Sequence, residues 1–290
     1  MAGCRCERYA HHAWPPFCRC PCSDVVQRLD FIDRPLVGAS AMPDTRRPSP
    51  LPQVNCHACS LSRLCLPASL TDSEVAELDR IVRRNRPLHR GEYLFRAGEP
   101  MRQVFALRSG TLKTYLLQAS GDQQVTGFVL PGELIGLDAI GAAEFRGFAV
   151  ALETSMVCAI DLQQLEDLSG RIPGLRHQLL HILSQGIHGE HEHIRCNRER
   201  AEQRLAQFLL SLSARYQQRG LRQDQFTLPM TRGDIGNYLD LTLETISRLF
   251  TRFVQDGLIE CQGRELRLVN RSELCRLSGM EERSILPRGA

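Results

Sequence analysis

The chain is 290 residues long, 42% hydrophobic and 24% charged, with a formal net charge of +3. That length and apolar content suit a soluble globular protein with two cores, and so mild a basicity does not by itself announce nucleic-acid binding, which has to come from a motif. No run of about eighteen apolar residues occurs, and the start lacks the basic segment, apolar stretch and small-residue cleavage site of a secretory signal, so no membrane association is expected and the expected compartment is the cytoplasm. Twelve cysteines in such a chain point to metal or redox chemistry rather than to a disulfide framework.

Residues 1–50 hold Cys4, Cys6, Cys18, Cys20 and Cys22, adjacent His11 and His12, several prolines and no sustained period. C-x-C runs can bind soft metals. Without a loop of zinc-type spacing the stretch reads as a disordered extension, with Met42 as an alternative start. Residues 51–70 carry Cys56, Cys59 and Cys65 in a C-x2-C-x5-C spacing just ahead of the first convincing helix, and a fourth cysteine follows much later at Cys158. Thiols so spaced in a short loop could converge on one inorganic centre.

Residues 71–165 form the expected sensor domain. Thr71-Asp-Ser-Glu74 is a capping box, and Val75, Leu78, Ile81 and Val82 share one face of a helix expected to run to about Arg84 and to stop before Pro87. Short strands punctuated by glycine follow over 92–95, 104–108, 111–117, 125–130, 148–152 and 156–161, the pattern of an antiparallel double-sheet roll. Residues 166–200 read as a dimerisation helix: Leu179, Leu180, Leu183, Ile187 and Ile194 lie close to heptad spacing, as in a helix that pairs with a copy of itself. His181, His188, His191 and His193 around that stripe read as a solvated or interface face rather than as ligands.

Residues 201–278 carry the DNA-binding signal. Leu205, Phe208, Leu209, Leu212 and Tyr216 form one apolar helix face, ended by Gly220. Thr231 and Thr242 can then cap two short helices joined at Asp240, with Ile235, Leu239, Ile246, Leu249, Phe250 and Phe253 facing inward. Glu244, Ser247, Arg248 and Thr251 share the outer face of the second helix. Arg248 can pair bidentately with guanine, Glu244 can accept from cytosine, Ser247 can serve a base or a phosphate, and Arg252 can add a phosphate contact. Residues 258–261 and 265–269 read as a hairpin wing, and 279–290 as a tail. The fold class is therefore α+β: an antiparallel β-roll, which resembles a cyclic-nucleotide-binding-like β-roll, a long helix and a winged helix-turn-helix.

Between Val54 and Met280 the chain closely resembles the fumarate-nitrate reductase regulators, the oxygen-sensing branch of the cyclic-AMP receptor protein superfamily. The resemblance rests on Cys56-x-x-Cys59-Ser60, Leu152-Glu-Thr-Ser-Met-Val-Cys158, Met230-Thr-Arg-Gly-Asp-Ile-Gly-Asn-Tyr238 and Glu244-Thr-Ile-Ser-Arg248. It implies a [4Fe-4S] cluster on Cys56, Cys59, Cys65 and Cys158, which oxygen degrades so that the dimer falls apart. Ser60 and Leu64 would then tune oxygen access. It also implies that Glu244, Ser247 and Arg248 of a homodimer read TTGAT-like half-sites in double-stranded DNA, and that the protein contacts RNA polymerase to activate or repress genes of anaerobic respiration.

Several residues depart from the pattern. The helix from Ile187 to Arg200 is richer in His and Arg than usual around Glu190, which matches the family's acidic residue; the resemblance implies that its like-charge repulsion across the interface opposes dimerisation, so the dimer is expected to be weaker. Asp240 stands in place of the usual glycine at the helix-turn-helix corner and tolerates a left-handed backbone at modest cost. Arg146-Gly147 replaces the Arg-Ser pair of a cyclic-nucleotide site, so cyclic AMP is not the expected signal. A zinc-stabilised or nitric-oxide-responsive regulator of the same fold remains open, since zinc accepts four thiolates equally well. An iron-sulfur DNA glycosylase would need a cysteine where Ser49 stands and leaves Cys158 without a role, and no catalytic constellation suggests an enzyme.

Overall fold

The computed structural model describes residues 54–279; the cysteine-rich extension with Met42, and the tail beyond Gly279, lie outside the described residues. Helix α1 (Asp72–Ile81) begins at its capping box, where the Thr71 amide donates to Glu74 Oε2 at 2.8 Å and so satisfies a group the first turn leaves open. Val75 and Leu78 form its buried face. The helix stops short of the expected Arg84. Val82–Arg84 is instead strand β1, antiparallel to β8 (Met156–Asp161) with Val82 opposite Ile160 and Arg84 opposite Cys158. The physical reason is the edge of β8, whose unpaired backbone groups outweigh one further helical turn.

Strands β1 and β8 join β3 (Gln103–Ser109) and β6 (Leu134–Ile135) in one antiparallel sheet, in the order β1-β8-β3-β6. The second sheet runs β2 (Tyr93–Phe95), β7 (Phe148–Ala151), β4 (Leu112–Leu117), β5 (Gln123–Val129). Their inner faces share one core in which Phe95 and Phe145 stack at 4.0 Å and Val104, Leu107, Leu112 and Ile160 are fully buried; each such aliphatic side chain contributes about 1.5–3 kcal/mol. The β3–β4 turn can be made only by glycine: Gly110 has φ +84°, and a Cβ there would lie 2.3 Å from Ser155 Oγ.

Asp161 caps α2 (Leu162–Arg171) by accepting from the Gln164 amide at 3.1 Å, and Pro173 opens the 24-residue α3 (Pro173–Cys196). The apolar row read from the sequence divides. Leu179 packs with Ile182 on the roll, whereas Leu180, Ile187 and Ile194, seven residues apart, are 60%, 60% and 56% exposed.

The C-terminal part comprises α4 (Ala201–Gln218), β9 (Gln225–Thr227), α5 (Arg232–Tyr238), α6 (Leu243–Gln255), β10 (Ile259–Gln262), β11 (Glu265–Leu268) and α7 (Arg271–Ser278). The wing is a three-stranded sheet in the order β10-β11-β9 rather than a bare hairpin. These elements pack on the roll. Phe128 of β5 meets Phe208 and Tyr238 edge-on, Lys113 Nζ lies 2.6 Å from Asp234, and Asn237 accepts from the Val125 amide while donating to Gln123 O at 2.7 Å.

Glu133 closes this contact. Its carboxylate pairs with Arg215 at 2.7 Å and with Arg219 at 2.6 Å, and accepts from the Leu130 amide. Burial alone would raise the Glu133 pKa, but the two guanidinium groups outweigh it and hold the carboxyl below the ordinary range. Replacing Glu133 by Ala leaves Arg219, only 3% exposed, without its counter-charge, and should lower unfolding stability by about 3 kcal/mol in urea titrations. A loss under about 1 kcal/mol would mark the pairs as ordinary surface bridges. Because the Glu133 pKa is depressed, its contribution is complete above the unfolded glutamate pKa and is lost as pH falls through the folded value, so the wild-type to Ala difference should shrink on acidification.

Candidate thiol centre and nucleic-acid interface

The loop ahead of α1 winds through successive tight turns. Cys59 N donates to Cys56 O at 3.4 Å, Ser62 N to Cys59 O at 3.1 Å and Cys65 N to Leu61 O at 3.1 Å, so the chain coils back under the roll. Leu66 and Pro67 are buried and anchor it. Cys56, Cys59 and Cys65 thereby line the same small cavity as Cys158, which β8 presents from the roll. The rest of the lining is mainly aliphatic, including Leu61, Leu78, Val82 and Ile160, with Arg108 as its charged member. Ala106, opposite Cys158 on β3, leaves room above the thiol. A Cβ at Gly132 would lie 3.0 Å from that of Leu64 and push this loop away.

Apolar surroundings disfavour thiolates. Burial pushes Cys65 up to about 12 and raises Cys56, where Asp79 adds to the effect. Cys158 is raised by burial as well, opposed by the charges of Arg84 and Arg108. Soft thiol donors in a mainly aliphatic cavity fit a metal or cluster centre that would deprotonate them on binding, with Arg108 in the lining to offset thiolate charge. Among the described residues no three His, Cys, Asp or Glu groups close around a single point as ligands of one metal ion would; the four cysteines surround a space.

Two contacts tie this loop to the long helix. Gln178 of α3, buried, donates to Cys65 O at 3.3 Å and accepts from Ser69 Oγ at 3.2 Å, and Gly174 meets the Ser69 carbonyl so closely that a Cβ would sit 3.2 Å from it. Further along α3, Ile187 and Ile194 are exposed, as is Glu190, whose pKa is raised by local packing and by the like charge of Asp138.

In the helix-turn-helix, Thr231 accepts from the Asp234 amide at 3.0 Å and Thr242 from the Thr245 amide at 3.2 Å, fixing both helix starts. Gly236 lets the helices approach, since a Cβ there would lie 2.7 Å from Leu241 O. Asp240 adopts φ +54°, the left-handed corner expected of it, and Arg204 clamps that corner by donating to Leu239 O at 3.0 Å and Asp240 O at 3.3 Å. Ile246, Leu249, Phe250 and Phe253 are buried. Glu244, Ser247, Arg248, Thr251 and Arg252 all lie on the exposed side of α6. Within that set Arg248 pairs with Glu244 at 2.5 Å, the Thr251 hydroxyl is spent on Ser247 O at 3.0 Å, and Arg252 is paired with Glu202 of α4.

The sequence did not reveal the supporting residues. Arg204, Gln178, Asn237 and Glu133 act through contacts 35 to 114 positions away, and only their polar type at otherwise helical or turn positions hinted at them.

A Crp-like helix-turn-helix domain matches residues 203–277, and a cyclic nucleotide-binding domain matches residues 85–171. The chain is 46% identical over 232 residues to the "Fumarate and nitrate reduction regulatory protein" of Vibrio cholerae, covering 80% of this chain and 93% of that protein. It is likewise 46% identical over 239 residues to the "Transcriptional activator protein anr" of Pseudomonas aeruginosa, covering 82% and 98%. Among solved structures, FixK2 from Bradyrhizobium japonicum is similar with a TM-score of 0.62 and 28% identity, over 67% of this chain and 97% of that one. Roll, long helix and winged helix-turn-helix thus coincide with an identity sustained over most of the chain, and the protein belongs to the fumarate and nitrate reduction regulator family of DNA-binding, Crp-like transcription regulators.

Proposed function

We propose that this regulator senses oxygen through a [4Fe-4S] cluster held by Cys56, Cys59, Cys65 and Cys158, and that it binds palindromic TTGAT-like DNA as a homodimer. The observation that carries the reading is that four cysteines from two segments far apart in sequence line one apolar cavity. When bound, such a cluster supplies an oxygen-labile bond between the loop and the roll. The remaining steps belong to the chain. Gln178 joins the Cys65 turn to α3, so a displaced loop loses two hydrogen bonds to that helix. Leu180, Ile187 and Ile194 form a row that a second copy of α3 can cover, while Glu190 opposes the pairing unless its charge is offset.

Two recognition helices so joined would enter successive major grooves, with Arg248 and Glu244 already oriented on each other. Ser247 completes the base-reading set. Thr251, its hydroxyl engaged, offers its methyl, and Arg252 leaves Glu202 for a phosphate. The "activator" in the Pseudomonas relative's name supports a contact with RNA polymerase at promoters, with repression where the site overlaps one. This work is done in the cytoplasm, and no helix among the described residues is long and apolar enough to cross a membrane.

Protein isolated without oxygen should be brown, hold about four iron and four sulfide per chain, and bleach in air; a colourless protein with one zinc would overturn the cluster. Cys158→Ser should lose the colour, the dimer in analytical ultracentrifugation and anaerobic DNA binding together.

On DNA, Arg248→Ala should cost about 1–3 kcal/mol and relax the preference at one base position. Arg252→Ala should instead weaken all sequences alike and flatten the salt dependence of binding. Equal losses of specificity in both variants would remove Arg248 from base reading.

A further inference from the structure

Cys56 lies near the start of the described chain and is held neither in a helix nor in a strand. Its placement depends on two side chains the cavity does not include. The Cys56 amide donates to Asp79 Oδ1 at 2.8 Å, near the end of α1. The same oxygen is paired with Arg84, whose Nε donates to Val54 O at 2.8 Å. Arg84 is itself on β1, directly opposite Cys158 in the β1–β8 register. Both side chains are shielded, at 17% and 25% exposure for Arg84 and Asp79, so the contact excludes most of the water that would otherwise compete for it.

We infer that Asp79 and Arg84 form a latch that holds the Cys56 arm in register with the strand carrying Cys158, and so position two of the four thiols before any metal arrives. This rests on the proposed cluster only for its consequence; the latch is a property of the metal-free chain. Arg84 fixes the backbone two residues before Cys56 and Asp79 fixes Cys56 itself, so the arm is grasped at two successive points by groups whose own backbones belong to the roll and its leading helix. Neither residue touches the centre as a ligand. Their role is positional, of the kind whose loss typically weakens a metal site about 10–100-fold.

Two readouts on the full-length protein test this. In metal-free protein, amide exchange over residues 54–59 should be at least about tenfold faster in Asp79→Ala than in the wild type. Asp79→Asn, which retains an oxygen for the Cys56 amide, should restore most of the protection. In anaerobically reconstituted protein, Asp79→Ala should bleach in air severalfold faster, with Asp79→Asn in between. If Asp79→Ala does not fold by circular dichroism, Arg84→Lys serves in its place, because a single ammonium does not reproduce the guanidinium's bonds to Val54 O and Asp79 together.

Unchanged exchange over residues 54–59 in the folded variant overturns the latch, whatever the metal content. Faster exchange with an unchanged bleaching rate overturns its role in positioning thiols for a cluster. Wild-type protein that takes up no iron and sulfide overturns the proposed function, while the exchange measurement still decides whether the latch exists.

Discussion

Strand β8 lies between β1 and β3, and most of what the molecule can do depends on that pairing. One neighbour, β1, is short and would be helical if periodicity alone decided; it is extended because β8 offers a row of backbone groups to be paired. The pairing sets Cys158 opposite Arg84 on one side and Ala106 on the other. The cysteine therefore has a guanidinium-bearing neighbour on one flank and the smallest chiral side chain on the other, which opens the cavity without removing the roll's aliphatic floor. The end of the same strand supplies Asp161, which caps α2 and sets the course of the chain toward α3. A shift of β8 by one residue would turn Cys158 to the opposite face and separate it from the loop cysteines.

From this strand two lines of contact lead outward. The first runs through the cysteine loop, where Gln178 is a buried polar group on α3 and finds both its partners in the loop, Cys65 O and Ser69 Oγ. A buried amide that loses its partners costs about 1–3 kcal/mol, so the loop and the helix cannot move independently at no cost. The second runs through β5 and the residues after it to α4 and α5, by way of Phe128, Asn237 and the Glu133–Arg215–Arg219 group. The helix-turn-helix is thereby held by its supporting helices, and α6 keeps its polar side in solvent.

Much of this was legible in the sequence because it is written at short range. The capping box at Thr71, the caps at Thr231 and Thr242, the glycine-punctuated short strands and the inward residues of α6 each depend on neighbours within a few positions. The left-handed corner at Asp240 follows from the resemblance, in which a glycine is usual at that position. What the sequence hid was long-range. Nothing near Val82 announces that it will pair with Ile160, and nothing near Gln178 announces a partner at Cys65. The row on α3 looks like one stripe in the sequence, although Leu179 faces the roll and Leu180 faces water; adjacent positions on a helix differ by about 100°, and heptad spacing alone does not say which of two neighbours carries the seam. The convergence of Cys56, Cys59 and Cys65 could be drawn from their spacing, but the resemblance, not the spacing, brought in Cys158.

Leu180, Ile187 and Ile194 leave more than half of each side chain in water, and covering three such side chains on each of two helices is worth several kcal/mol at about 25 cal/mol per Å2. Against this stands the ordering cost of association and the charge of Glu190, which already meets the like charge of Asp138 within one chain. The two sides oppose each other, and the pairing depends on their difference. In the proposed dimer a difference between opposing terms responds to a small bias, and the Gln178 contacts, worth roughly 1 kcal/mol each when made, are of a size to supply one. Under the proposed function, a loop whose four thiols line an apolar cavity, coupled by one glutamine to a helix with an exposed apolar row, has the parts of a switch.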